Sequence, residues 1–287
     1  MIYHQPVLVD EVVKIFEPLS ESVILDGTLG HAGHTLAFLT HGCPHVYGLD
    51  RDLMSLKIAK NRLKEAGYLP QTTLKNLNFT ALPEVIAKSD PKINRILLDL
   101  GLNSFQLREG DQGFSFLEDL PLDMRLDPNQ DITASNYLNT VSLTLLELNL
   151  SRLVQHPLSP ILAQEIVTSR HRQPFTTTHQ LANFMVNFYA NHHLPHHTHP
   201  ATKIFLMLRL IVNQELENLE IALNQIKSVA SPHTRVAIIT FHSTEDRIVK
   251  LFIQNNYPHS HSSIKPKFSE IKSNPLSRSA MLRWFET

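Results

Sequence analysis

The stretch that decides the fold is VILDGTLGHAGHTLAFL, residues 23–39. An apolar run reaches Asp26 and then breaks into Gly27, Gly30 and Gly33 at intervals of three. Apolar residues resume at helical spacing with Leu36, Ala37 and Leu39. Strand, glycine turn and helix in that order let backbone pass close to a ligand, and the helix N-terminus offers unpaired N–H groups. Asp50 ends the next apolar run, where a carboxylate can accept both hydroxyl protons of an adenosine ribose. NAD and S-adenosylmethionine (SAM) share that need, so these features leave both open. The spacing G-x-x-G-x-x-G is not the dinucleotide pattern G-x-G-x-x-G, which leans against NAD.

Outward from this stretch, strand-like segments recur at Val23–Asp26, His45–Asp50, Thr72–Leu77, Ile96–Leu100 and Arg235–Phe241. Helical patterns lie between them, including Leu53–Ala66 and Leu82–Lys88. Such alternation predicts a parallel α/β sheet with helices on both faces. The interval between the fourth and fifth strands has little strand character and carries helical patterns at Ile161–Arg170 and Thr178–Tyr189. From Ala201 to Ile226, apolar residues at i+3/i+4 spacing predict one long helix that returns the chain to the sheet. The domain organisation expected is therefore 1–108 for the first part of the sheet domain, 109–198 for a helical insertion and 199–287 for the second part. In TFHSTEDRIVKLF (240–252), Ser243 and Asp246 are spaced as a capping box.

Composition narrows the class. The chain has 287 residues, 42% of them hydrophobic, and a net charge of −1, which argues against non-specific coating of DNA. Residues 227–287 hold nine basic and four acidic side chains, so a polyanion is drawn mainly to the C-terminal part. The single cysteine, Cys43, excludes an internal disulfide and fits a reducing compartment. No run approaches the ~18 apolar residues needed to cross a bilayer, and a cytoplasmic location is expected. Five histidines lie between His192 and His199, but no cysteine or carboxylate in that segment completes a tetrahedral zinc set. No resident metal is expected.

Six further motifs follow in order: ILLDLGLNSFQ (96–106), DQGFSF (111–116), PLDMRLDP (121–128), HPATKIFLMLRLIVNQEL (199–216), TFHSTEDRIVK (240–250) and NPLSRSAMLR (274–283). Together with the glycine turn they resemble the RsmH/MraW family, from about His4 to Arg283. The resemblance implies a Rossmann-like SAM-dependent methyltransferase sheet with a helical insertion domain after the fourth strand. It also implies SAM as methyl donor, with the N4 amine of a decoding-centre cytidine in 16S ribosomal RNA as acceptor. The partner is then small-subunit ribosomal RNA or the assembled particle. The family's cofactor positions fall on Ala32, Gly33 and His34 in the turn, Asp50, Phe79, Asp99 and Gln106. The chain also departs from the family pattern. Ala32 replaces a usual glycine, a tyrosine-glycine-glutamate-glutamate motif is absent near 152–166, and Asn103, Gln112, Lys203 and Leu206 replace the usual residues.

Asp99, at the end of the fourth strand, is the candidate acceptor for an amine proton, and a purely cofactor-binding Asp99 fits the same position. Methylation at cytosine C5 would need a cysteine nucleophile, and Cys43 lies ahead of the second strand. His242, Glu245, Asp246 and Arg247 read as caps and supports of a helix beside the cleft. Arg278 and Arg283 are candidates for contact with RNA phosphates. Ala32 and the absent inserted-domain motif also motivate an alternative: a SAM-binding, RNA-associated protein with reduced or lost turnover.

Overall fold

The computed structural model describes residues 5–101, 111–258 and 261–287. It divides into two compact units, Met1–Asn103 with Leu216–Thr287, and Ser104–Glu215. The first unit is built on a seven-stranded sheet of order β3-β2-β1-β4-β5-β7-β6. Its strands are β1 (Val23–Asp26), β2 (His45–Asp50), β3 (Thr72–Asn76), β4 (Arg95–Asp99), β5 (Arg235–Thr240), β6 (His261–Ile264) and β7 (Met281–Glu286). The first five pair in parallel, and β7 runs antiparallel to both β5 and β6. The fold is a Rossmann-like α/β sheet.

Period-two alternation explains why both faces are covered. Ile24, Val46, Leu97, Ala237 and Ile239 pack with α1 (Val9–Phe16), α2 (Gly33–Thr40) and α3 (Leu53–Glu65). Their neighbours Val23, Leu25, Tyr47, Leu49, Ile96, Leu98, Val236 and Ile238 pack on the other face. The helices there are α4 (Leu82–Lys88), α10 (Glu215–Val229) and α11 (Ser243–Asn256). In the order of the sheet, β1 stands between β2 and β4. The chain passes from β1 outward to β2 and β3, then back across to β4. That reversal opens a crevice at the C-terminal ends of β1 and β4, where α/β sheets bind ligands.

The second unit is helical: α5 (Ala134–Thr140), α6 (Leu143–Asn149), a π-helical turn (Leu150–Val154), α7 (Ser159–Arg172), α8 (Thr178–Asn191) and α9 (Thr202–Val212). Helix α8 starts with a reciprocal capping box between Thr177 and Gln180. Helix α9 groups with this unit, whereas the sequence reading joined residues 199 onward to the sheet.

Two local expectations are corrected. The single helix predicted from Ala201 to Ile226 is two helices, broken at Asn213 and Gln214, where Gln214 has φ of 49°. The buried Asn213 side chain donates to the Met124 and Arg209 carbonyls and accepts from the Leu126 N–H. The two tertiary bonds, to Met124 and Leu126, thus outweigh the continuity of the apolar stripe. The cap of α11 is also one residue earlier than expected. His242 caps the helix by accepting from the Glu245 N–H, while Glu245 accepts from the Phe241 N–H.

Candidate active site

Three parallel strands end in carboxylates, and the glycine turn ties all three together. Asp26, at the end of β1, accepts from the Thr35 hydroxyl at 2.7 Å and the Thr28 N–H at 3.3 Å. Asp50, at the end of β2, accepts from the Gly30 N–H at 2.7 Å and the Asp52 N–H at 2.8 Å. The Asp99 N–H, at the end of β4, donates to the Thr28 hydroxyl at 2.6 Å. Arg62 of α3 donates to the His31 carbonyl and holds the turn from behind. The turn is therefore a braced structure at the C-terminal ends of β1 and β2.

Each glycine of the turn has its own reason. A Cβ on Gly27 would lie 2.6 Å from a Leu98 methyl, and on Gly33 2.8 Å from the Pro6 ring. Gly30 needs the left-handed region, with φ of 51°. Ala32 also adopts that region, at φ 59° and ψ 35°, immediately before α2. Left-handed backbone costs an L-residue about 1–2 kcal/mol. The Ala32 methyl is fully buried in the core on the α1–α3 face, worth about 0.8 kcal/mol. A glycine would also add roughly 0.5–1 kcal/mol of unfolded-chain entropy. These effects offset one another, so Ala32→Gly is expected to change unfolding free energy by less than about 1 kcal/mol, as measured by urea denaturation. A larger shift in either direction would contradict this placement of the methyl.

The electrostatics follow from burial. Asp26 is raised to about 6 by desolvation, against the lowering effect of its bonds to Thr35 and Thr28. Asp50 is raised to about 6 for the same reason, against its bonds to Asp52 and Gly30. Asp99 stands well above the usual carboxylate range, first through burial and then through the charges of Asp26 and Glu245. One of its oxygens, Oδ1, is buried with no hydrogen-bond partner among the described residues. An orphaned acceptor in a crevice, beside two further carboxylates, suits a ligand that brings its own donors.

The structure brings together Ala32, Gly33, His34, Asp50 and Asp99 around the turn. Phe79 lies on a short 3₁₀ turn, half-buried, with its Cβ 3.2 Å from where a Gly27 Cβ would stand. Gln106 lies outside the described residues, as does Asn103. His34 is buried, and its Nε2 lies 2.9 Å from the Val7 carbonyl. Arg278 is exposed on the 3₁₀ turn before β7. Arg283 donates through Nε and Nη2 to both oxygens of Asp246, at 2.6 and 3.0 Å, and so braces β7 against α11. Cys43 is buried at the opposite end of β2 from Asp50. Burial pushes its thiol up to about 11, which leaves no thiolate for nucleophilic attack near neutral pH.

Sequence reasoning missed Thr28, Thr35, Arg62 and the part played by Glu245. Among the described residues no three histidine, cysteine or acidic side chains come together as a metal site. No helix among them is long and apolar enough to cross a membrane.

The model of the MraW methylase family matches residues 1–287. The chain belongs to the MraW methylase family. Its relatives in that family include ribosomal RNA small subunit methyltransferase H of Syntrophotalea carbinolica. That protein is 34% identical over 304 residues, which cover 98% of this chain and 96% of the relative. The protein of the same name from Legionella pneumophila (strain Corby) is 34% identical, covering 99% and 98%. The one from Thermotoga neapolitana is 35% identical, covering 98% and 95%. Family membership thus extends through the helical unit, including the stretch near 152–166 where the familiar motif is absent.

Proposed function

We propose that the chain transfers a methyl group from SAM to the N4 amine of a decoding-centre cytidine in 16S ribosomal RNA. The observation that carries this reading is the arrangement of Asp50, the glycine turn and Asp99 around one crevice in a chain of the methylase family. Asp50 holds the ribose: each carboxylate oxygen already accepts one backbone N–H and keeps a lone pair for a hydroxyl. The turn at Ala32, Gly33 and His34 faces the methionine end, and Phe79 flanks the adenine. Gln106 completes the set by its position in the family pattern.

When bound, SAM supplies a sulfonium methyl, whose bond to sulfur breaks with its electrons left on sulfur as the bond to nitrogen forms. The cytosine N4 lone pair is delocalised into the ring, so the residues contribute chiefly by positioning. Asp99 accepts an N4–H hydrogen bond and takes the proton that becomes acidic as the new bond forms. The target cytidine must be unstacked for its N4 amine to meet the methyl donor. Arg278 is the better placed of the two arginines for phosphate, because Arg283 already spends two donors on Asp246. The reading with lost turnover gains no support from Ala32, whose methyl is accommodated in the core.

Radiolabelled SAM incubated with small-subunit particles tests the proposal. Incorporation into RNA is expected with the chain as it stands. Binding of SAM without incorporation would favour the non-catalytic alternative.

A pH dependence follows with a definite sign. Asp50 in the free protein sits at about 6, and ribose hydroxyls donating to it lower that value. The bound state then carries fewer protons, so binding releases one and strengthens as pH rises towards 6. Affinity for SAM is expected to be about tenfold lower at pH 5 than at pH 7, and level above 7. Calorimetric titration across that range checks it, and a flat profile would contradict the role of Asp50.

A further inference from the structure

The environment of Asp99 poses a problem that the proposed chemistry must solve. Its carboxylate shares the crevice with Asp26 on β1 and with Glu245 in the first turn of α11, and both charges disfavour its own ionisation. A protonated Asp99 could not accept an amine hydrogen at both oxygens, and it would be a poor acceptor for a departing proton. Among the described residues, the groups that face it are few. Thr28 supplies only a hydroxyl oxygen, which receives the Asp99 N–H. Glu245 has its own imidazole, with His242 Nε2 at 3.0 Å from Oε1, and it also accepts from the Phe241 N–H. Asp26 is held by Thr35 and Thr28. The remaining group is His34, whose Nδ1 lies 3.6 Å from Asp99 Oδ2.

The orientation of His34 fixes which nitrogen titrates. A carbonyl only accepts, so the 2.9 Å contact with Val7 O requires the hydrogen on Nε2. The nitrogen that gains or loses a proton is then Nδ1, the one facing Asp99. At 3.6 Å the pair is too long for a direct hydrogen bond but close enough for strong coupling in a buried site. The imidazole is 5% exposed and stacks obliquely near Phe38, so it has little freedom to turn away.

We propose that His34 is a positioning residue for Asp99: it carries on Nδ1 the proton that Asp99 would otherwise hold, and so keeps that carboxylate ionised to accept the cytidine amine. This inference rests on the proposed N4 methylation. In the step itself the N4 proton passes to Asp99 and leaves to water with the product, while His34 keeps its own proton throughout. His34 thereby acts on the reaction and not only on the cofactor.

Two measurements test it. The first needs no activity. Histidine-selective ¹⁵N NMR of the ligand-free protein should show His34 Nδ1 protonated at neutral pH in the wild type. In Asp99→Asn that protonation should move to lower pH by more than about one unit, a tenfold change in proton affinity. An unchanged His34 titration in Asp99→Asn would overturn the pairing. The second follows single-turnover methyl transfer at saturating SAM from pH 6 to 9. His34→Asn should be about tenfold slower at pH 7 and should recover towards the wild-type rate as pH rises, because a higher pH favours ionisation of Asp99 without help. A constant ratio of rates across pH, or a defect that lies wholly in SAM affinity, would make His34 a cofactor ligand alone. A wild-type chain that methylates no cytidine would remove the proposed function, and the NMR comparison would still decide whether His34 holds the proton for Asp99.

Discussion

Asp99→Asn should lower the single-turnover rate about a hundredfold at saturating SAM while changing SAM affinity by no more than about threefold. Asparagine keeps the volume and one acceptor oxygen, but it loses the charge and can turn an N–H towards the amine. Proton acceptance by a placed side chain typically contributes 10²–10⁴-fold to a rate, and the lower end applies because the amine proton becomes acidic only as the methyl bond forms. The buried Oδ1 without a partner among the described residues is where such an interaction can be made in the transition state alone. An interaction of that kind shows itself in turnover, whereas lost uniform binding raises the Michaelis constant. The substitution also removes a charge crowded by Asp26 and Glu245, so the fold should be retained. A variant with the wild-type rate at saturating SAM would reduce Asp99 to a cofactor ligand.

Asp50→Ala is expected to act on the other axis. Losing charged hydrogen bonds of this kind should cost about 1.5–3 kcal/mol in all, so the substitution should weaken SAM binding about ten- to a hundredfold. The turn should also loosen, because the Gly30 N–H and the Asp52 N–H lose their acceptor. The rate at saturating SAM should change far less than the affinity. Calorimetry and single-turnover kinetics on the same variant separate the two effects, and an unchanged dissociation constant would remove Asp50 from the site.

Much of this was legible because the first four strands announce themselves. β1, β2 and β4 are short, largely apolar runs that each end on an aspartate, so three of the crevice carboxylates can be numbered from sequence alone. The helices α4 and α8 begin where their periodicity begins. What stayed hidden depends on distant partners. Strands β6 and β7 were not anticipated: β7 has half-buried Arg283 and Trp284 in its middle, and it is a strand because β5 lies beside it. The break after α9 is set by Asn213 bonds to residues 124 and 126, nearly ninety positions away. The phosphate role read for Arg283 meets the same limit, since its ion pair with Asp246 joins two elements that no local pattern connects.

The site divides along the same line. Gly30 could be read as a residue for left-handed backbone, but Gly33 is small because Pro6 packs on it, which only the fold reveals. Thr28 is unremarkable in sequence and becomes the link between Asp26 and Asp99 only when β1 and β4 pair, while Thr35 ties Asp26 to α2. His34 was read through the family pattern as a cofactor position. Its contacts to Val7 and Asp99 give it a second, proton-holding part that spacing does not encode.

The central claim is methylation at the exocyclic amine of a cytidine, and nucleoside identity tests it most directly. Small-subunit particles that lack the modification would be incubated with the chain and SAM, their RNA digested to nucleosides, and the methylated product resolved by mass spectrometry against standards. The account predicts N4-methylcytidine, reduced about a hundredfold when Asp99→Asn replaces the wild type over the same short interval. A product methylated at C5 or on the ribose would contradict it, as would SAM binding with no methylated nucleoside at all.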